Sequence, residues 1–138
     1  MRARSVQFPN TVMDNFFQDP DAVTSFGKTL DFTQPGSYPG LRTKNLMNTH
    51  PVISEEIVRK IFSVYFSNIS TISCEDVKIY FQKIPTFSED PNSLRNKGWV
   101  HTDMGETKNS SANNNRLAGV IYLTPNARLE SGTNICRF

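Results

Sequence analysis

Apolar positions recur along this chain in two rhythms. From Pro51 onward, Ile53, Ile57, Ile61 and Val64 follow helical spacing, with Val58, Phe62 and Tyr65 widening the stripe. Glu55, Glu56, Arg59 and Lys60 fall on the opposite, wet face, so the spacing predicts a core-facing helix. An earlier helix is announced by Asp19-Pro20-Asp21. Asp19 is suited to the N-cap, Pro20 to the first turn, and Asp21 to the positive end of the dipole. Its pattern runs through Ala22, Val23, Phe26 and Leu30, with Phe16 and Phe17 placed to staple it to the core. Between the two helices, residues 31–43 are turn-rich, punctuated by Pro35-Gly36 and Pro39-Gly40, and carry Tyr38 and Arg42.

The second rhythm is alternation. Val77, Ile79 and Phe81 share one side of a predicted strand over Val77–Ile84, and Lys78, Tyr80 and Gln82 share the other; Pro85 ends it. A polar loop over 88–98 leads to a short strand from Trp99 to Asp103. The Asn-rich tract from Lys108 to Asn115 reads as an exposed loop. Leu117–Leu123 is an apolar run closed by Thr124-Pro125-Asn126 and is expected to be a buried strand. One more strand is expected over Gly132–Phe138, and a short one in the first ten residues, with Val6 and Phe8 on one face. Helices come first and strands after, which predicts an α+β fold with an antiparallel sheet or roll.

Composition narrows the picture. At 138 residues the expectation is a single domain. Fifteen Lys and Arg against 13 Asp and Glu give a formal charge of +2, too little basic excess for a dedicated nucleic-acid binder. Apolar residues are only 37% of the chain, so the core must draw on its aromatics, 10 of them Phe. No run approaches the roughly 20 apolar residues of a membrane helix, and no signal-peptide pattern follows the basic N-terminus. Cys74 and Cys136 read as reduced thiols of a cytoplasmic protein, with a single disulfide as the alternative. Without a Cys-x-x-Cys pair a zinc site is disfavoured. Phosphate-loop and serine-hydrolase patterns are absent too.

The candidate chemistry lies at His101-Thr102-Asp103. On an extended strand, positions i and i+2 face the same way, so this imidazole and carboxylate can converge on one point. Such a pair suits Fe(II), which non-haem oxygenases hold with two His and one carboxylate. Two His and seven Asp in the chain produce a His-x-Asp by chance about one time in ten. The plain alternative is a surface hydrogen bond between the two at a strand end.

The stretches Gly98–Asp103, Leu117–Ala127 and Glu130–Thr133 together resemble the 2-oxoglutarate/iron(II)-dependent oxygenases. The resemblance is closest to the prolyl 4-hydroxylase-like branch and its bacterial and phage members. Asp14–Pro20 with its following helix fits the same lead-in. The resemblance implies N-terminal helices packed on an antiparallel, incomplete double-stranded β-helix of jelly-roll type. It implies His101 and Asp103 as two of three metal ligands; by position on the preceding strand Tyr80 and Gln82 would line the 2-oxoglutarate pocket, the plain alternative being an ordinary half-exposed strand face. The implied reaction couples oxidative decarboxylation of 2-oxoglutarate to hydroxylation of a peptidyl or amino-acid C–H, with Fe(II) and 2-oxoglutarate as cofactors.

The chain departs from that pattern. The family has a second His downstream and, after it, a basic residue for the far carboxylate of 2-oxoglutarate. Here the other His is His50, upstream, expected in a loop or at a helix start, and Arg137 comes too early. The expectation is therefore a C-terminally truncated roll over 1–138 with uncovered strand edges. A second copy or a second chain would complete the sheet, and the substrate would be a protein or a small molecule. The alternative is a non-catalytic binding or structural protein, such as a phage or viral assembly component, that keeps part of the roll.

Overall fold

The structure, a computed structural model, describes residues 10–36, 38–74, 76–86, 88–93, 117–127 and 132. Among the described residues the elements are helix α1 (Pro20–Lys28), strand β1 (Leu41–Arg42), helix α2 (Leu46–Thr49), helix α3 (Pro51–Tyr65), a 3-10 turn at Ile69–Thr71 and strand β2 (Gln82–Lys83). Among the described residues the chain is mixed α+β with a two-stranded antiparallel sheet. No helix among the described residues is long and apolar enough to cross a membrane. The chain divides into two compact units, one joining Met1–Lys28 to Leu117–Phe138, the other Thr29–Arg116.

In the first unit, α1 starts where the sequence predicts. The Asp19 carboxylate accepts the Ala22 N–H at 2.9 Å, capping an otherwise unpaired donor, and Pro20 fills the first turn. The helix stops at Lys28, short of Leu30. Phe16 and Phe17 meet edge to face, with ring centroids 4.9 Å apart. The Thr24 hydroxyl donates to the Pro20 carbonyl at 2.9 Å and lies 3.2 Å from the Leu123 carbonyl, tying the helix to the segment after Leu117. That segment corrects the expectation of a buried strand. Residues 117–123 belong to no strand, and Leu117, Val120 and Tyr122 are exposed, Val120 by 67%. An apolar run makes a strand only when a neighbouring backbone pairs with it and a facing layer covers it. Here the Thr24 hydroxyl of α1 lies against the Leu123 carbonyl.

The second unit is organised by non-local pairing. β1 and β2 run antiparallel, with Leu41 opposite Lys83 and Arg42 opposite Gln82. On its other edge Arg42 exchanges both backbone hydrogen bonds with Gln34, each 3.0 Å. The ladder continues past the strands: Thr43 N–H donates to the Phe81 carbonyl at 3.0 Å, and Phe81 N–H to the Thr43 hydroxyl at 3.2 Å. Beyond that point the side chain of Asn45 replaces a strand. Its Oδ1 accepts Ile79 N–H at 3.0 Å and Met47 N–H at 3.2 Å, and its Nδ2 donates to the Val77 carbonyl at 3.0 Å. The predicted strand Val77–Ile84 is thus shortened to Gln82–Lys83. The partner chain turns into α2 at Asn45, so the segment before β2 forms no strand and is held partly by side chains.

Helix α3 follows the predicted stripe with one adjustment. Ile57 is buried and Ile53 and Ile61 are half-buried, but Val64 and Tyr65 at the far end are exposed. Glu55, Glu56, Arg59 and Lys60 face water as expected. Leu46, only 2% exposed, joins Ile57 as the buried apolar pair among the described residues. Ser54 is fully buried without penalty, because its hydroxyl donates to the His50 carbonyl at 3.0 Å. The predicted strands at Val6–Phe8, Trp99–Asp103 and Gly132–Phe138, the loop at Lys108–Asn115 and the thiol Cys136 lie wholly or almost wholly outside the described residues. Cys74 is exposed and unbridged.

Candidate functional site

Two of the four candidate site residues fall within the described residues, and the fold brings them to a common neighbour. Tyr80 and Gln82 sit two positions apart, Tyr80 just before β2 and Gln82 at its start, and both reach Arg42. The strand register places Arg42 opposite Gln82. Arg42 Nε donates to Gln82 Oε1 at 2.8 Å, and Gln82 Nε2 donates to the Pro39 carbonyl at 2.8 Å. One amide therefore fixes both the guanidinium and the Pro39-Gly40 turn.

Aromatic faces complete the setting. The guanidinium carbon of Arg42 stands 3.7 Å from the ring centroid of Tyr38 and 5.5 Å from that of Tyr80. Both are cation–π distances, the first a close stack. The Tyr38 ring is held in turn by its hydroxyl, which donates to the Gln34 carbonyl at 2.7 Å. Tyr38, Arg42, Tyr80 and Gln82 are all half-buried. No carboxylate is paired with Arg42 among the described residues, and its two terminal NH2 groups make no hydrogen bond there.

The ion pair that is present lies elsewhere. Lys78 Nζ is 2.7 Å from Asp76 Oδ2, and both side chains are largely exposed. The hydrogen bond to that carboxylate, and then its charge, hold the Lys78 ammonium above its ordinary pKa. An exposed pair of this kind contributes little to stability.

His101 and Asp103 lie outside the described residues, as does Arg137. Among the described residues no group of three or more His, Cys, Asp or Glu is arranged to hold a metal ion. His50 closes α2 and opens α3, as the expectation of a loop or helix-start position required. Its N–H donates to the Leu46 carbonyl at 2.7 Å, its carbonyl accepts from Ser54 N–H at 3.3 Å, and its Nδ1 lies 2.9 Å from the Thr49 hydroxyl.

Sequence reasoning noted Tyr38 and Arg42 but gave them no role. The local signal was there, since an aromatic, a Pro-Gly turn and an Arg follow one another within five residues. The missing step was the pairing of residue 42 with residue 82, which no local pattern encodes. Comparison of the chain with protein-family models, with curated proteins and with solved structures finds no match.

Proposed function

We propose that this chain is the 2-oxoglutarate-binding and iron-holding part of a dioxygenase of the prolyl 4-hydroxylase-like kind. In this reading the helices pack on an incomplete double-stranded β-helix. The observation that carries it is the His101-Thr102-Asp103 triplet, followed in the order of the family pattern by the sequence stretches Leu117–Ala127 and Glu130–Thr133, although 117–123 forms no strand. The half-buried cluster just upstream supports it, because Tyr80 and Gln82 share a cationic neighbour suited to an organic acid. His101 and Asp103 would ligate Fe(II), which when bound supplies dioxygen chemistry directed at a substrate C–H. The chain's own part is to hold the acid, to orient it and to keep water away. A peptidyl or amino-acid side chain is the substrate class by analogy.

A second reading is a binding or structural protein without turnover. It is favoured by the place of His50, which is built into the junction of two helices and leaves His101 as the remaining imidazole of the chain. Titration of the protein with Mn(II) in the presence of 2-oxoglutarate, followed by electron paramagnetic resonance, separates the two. The expected result is weak but saturable Mn(II) binding. His101→Ala should lower it by at least the roughly ten- to hundred-fold that loss of even an outer-shell partner costs at such sites. Equal affinity in the two proteins would remove His101 from any metal site and leave the second reading.

A further inference from the structure

We infer that Arg42, with Tyr80 beside it, binds a carboxylate group of a small organic acid. The identity of that acid as 2-oxoglutarate rests on the dioxygenase reading. Arg42 is a half-buried charge with no paired carboxylate among the described residues. A cation withdrawn from water is costly unless an anion or several acceptors meet it. Its one side-chain hydrogen bond is through Nε. The edge bearing the two terminal NH2 groups remains, and its parallel N–H groups match the two oxygens of a carboxylate.

The guanidinium is also held before any ligand arrives. Gln82 fixes one edge, Tyr38 fixes one face at 3.7 Å, and the backbone of Arg42 is bonded to Gln34 on its free side. Ordering a long side chain in advance removes most of its entropic cost at binding. Tyr80 brings a phenol to the neighbourhood of the guanidinium, and that phenol makes no hydrogen bond among the described residues. Gln82 is a positioning residue, since its amide is engaged by Arg42 and Pro39.

The test is a titration of the full chain, with metal removed by chelator, against 2-oxoglutarate, succinate and inorganic phosphate. The readouts are the Arg42 Nε–H resonance and calorimetry. Both dicarboxylates should shift that resonance saturably, and phosphate should not compete. Arg42→Lys keeps the charge but loses the planar fork, and should weaken binding by about tenfold. Arg42→Gln should abolish it, with far-UV circular dichroism confirming that each variant is folded. An unmoved Arg42 resonance, equal affinity in the wild type and Arg42→Lys, or preferential binding of phosphate would each overturn the inference. His101→Ala should leave this metal-free binding unchanged. Dicarboxylate binding without Mn(II) binding therefore sinks the dioxygenase reading alone. Mn(II) binding indifferent to substitution at Arg42, with an unmoved resonance, sinks this inference alone.

Discussion

Gly40 is the residue on which the position of Arg42 turns. Its φ of +79° lies in the left-handed region, and a Cβ there would run into the Lys83 carbonyl oxygen. Pro followed by Gly at the centre of a turn meets that demand, with Pro39 presetting its own φ. Gly40→Ala should therefore destabilise the fold by about 1–3 kcal/mol. Gly119 is the control, because a Cβ on it meets nothing within 4 Å. Gly119→Ala should stay within about 0.5 kcal/mol of the wild type. Urea denaturation of the two variants checks both. The turn at Pro39-Gly40 was legible in the sequence because a Pro-Gly dipeptide is local chemistry. The carbonyl of Lys83 against it was not, since it comes from more than forty positions away along the chain.

Among the elements, the segment before β2 depends on Asn45. That side chain caps α2 through Met47 and pairs with the backbone at Val77 and Ile79. Asn45→Ala should cost about 2 kcal/mol or more, combining a lost N-cap with backbone groups left unpaired. Amide exchange should speed up most at Ile79. Asn45→Asp should retain part of the stability, because the acceptor toward Met47 and Ile79 survives while the donor toward Val77 is lost. Helix α1 and helix α3 were readable from capping residues and apolar spacing, which act within a turn or two. The four-residue helix Leu46–Thr49 was not, because its start is fixed by an Asn whose other partners are remote. The alternation of Val77 to Ile84 yielded a strand only at Gln82–Lys83, because it carried no information on what would pair with the rest.

For the whole molecule, the apolar run 117–123 is the clearest departure from what its composition suggests. Burial would make Val120 a core residue, whereas it is 67% exposed. Val120→Ser should accordingly change stability by no more than about 0.5 kcal/mol in thermal unfolding. A loss of 2 kcal/mol or so, the scale expected for a buried aliphatic, would speak for a covered site. Of the cluster around Arg42, strand periodicity placed Tyr80 and Gln82 on one face without giving them a role, while Arg42 and Tyr38 emerged only once the register was known. One further feature ties the second unit together. His50 gives its N–H to α2 and its carbonyl to α3, and α2 itself begins on the Asn that grips the chain beside Tyr80. A pull on the fifteen-residue helix is therefore passed, peptide by peptide, to the perch of the arginine. Whatever melts that helix should loosen the guanidinium's grip in the same event.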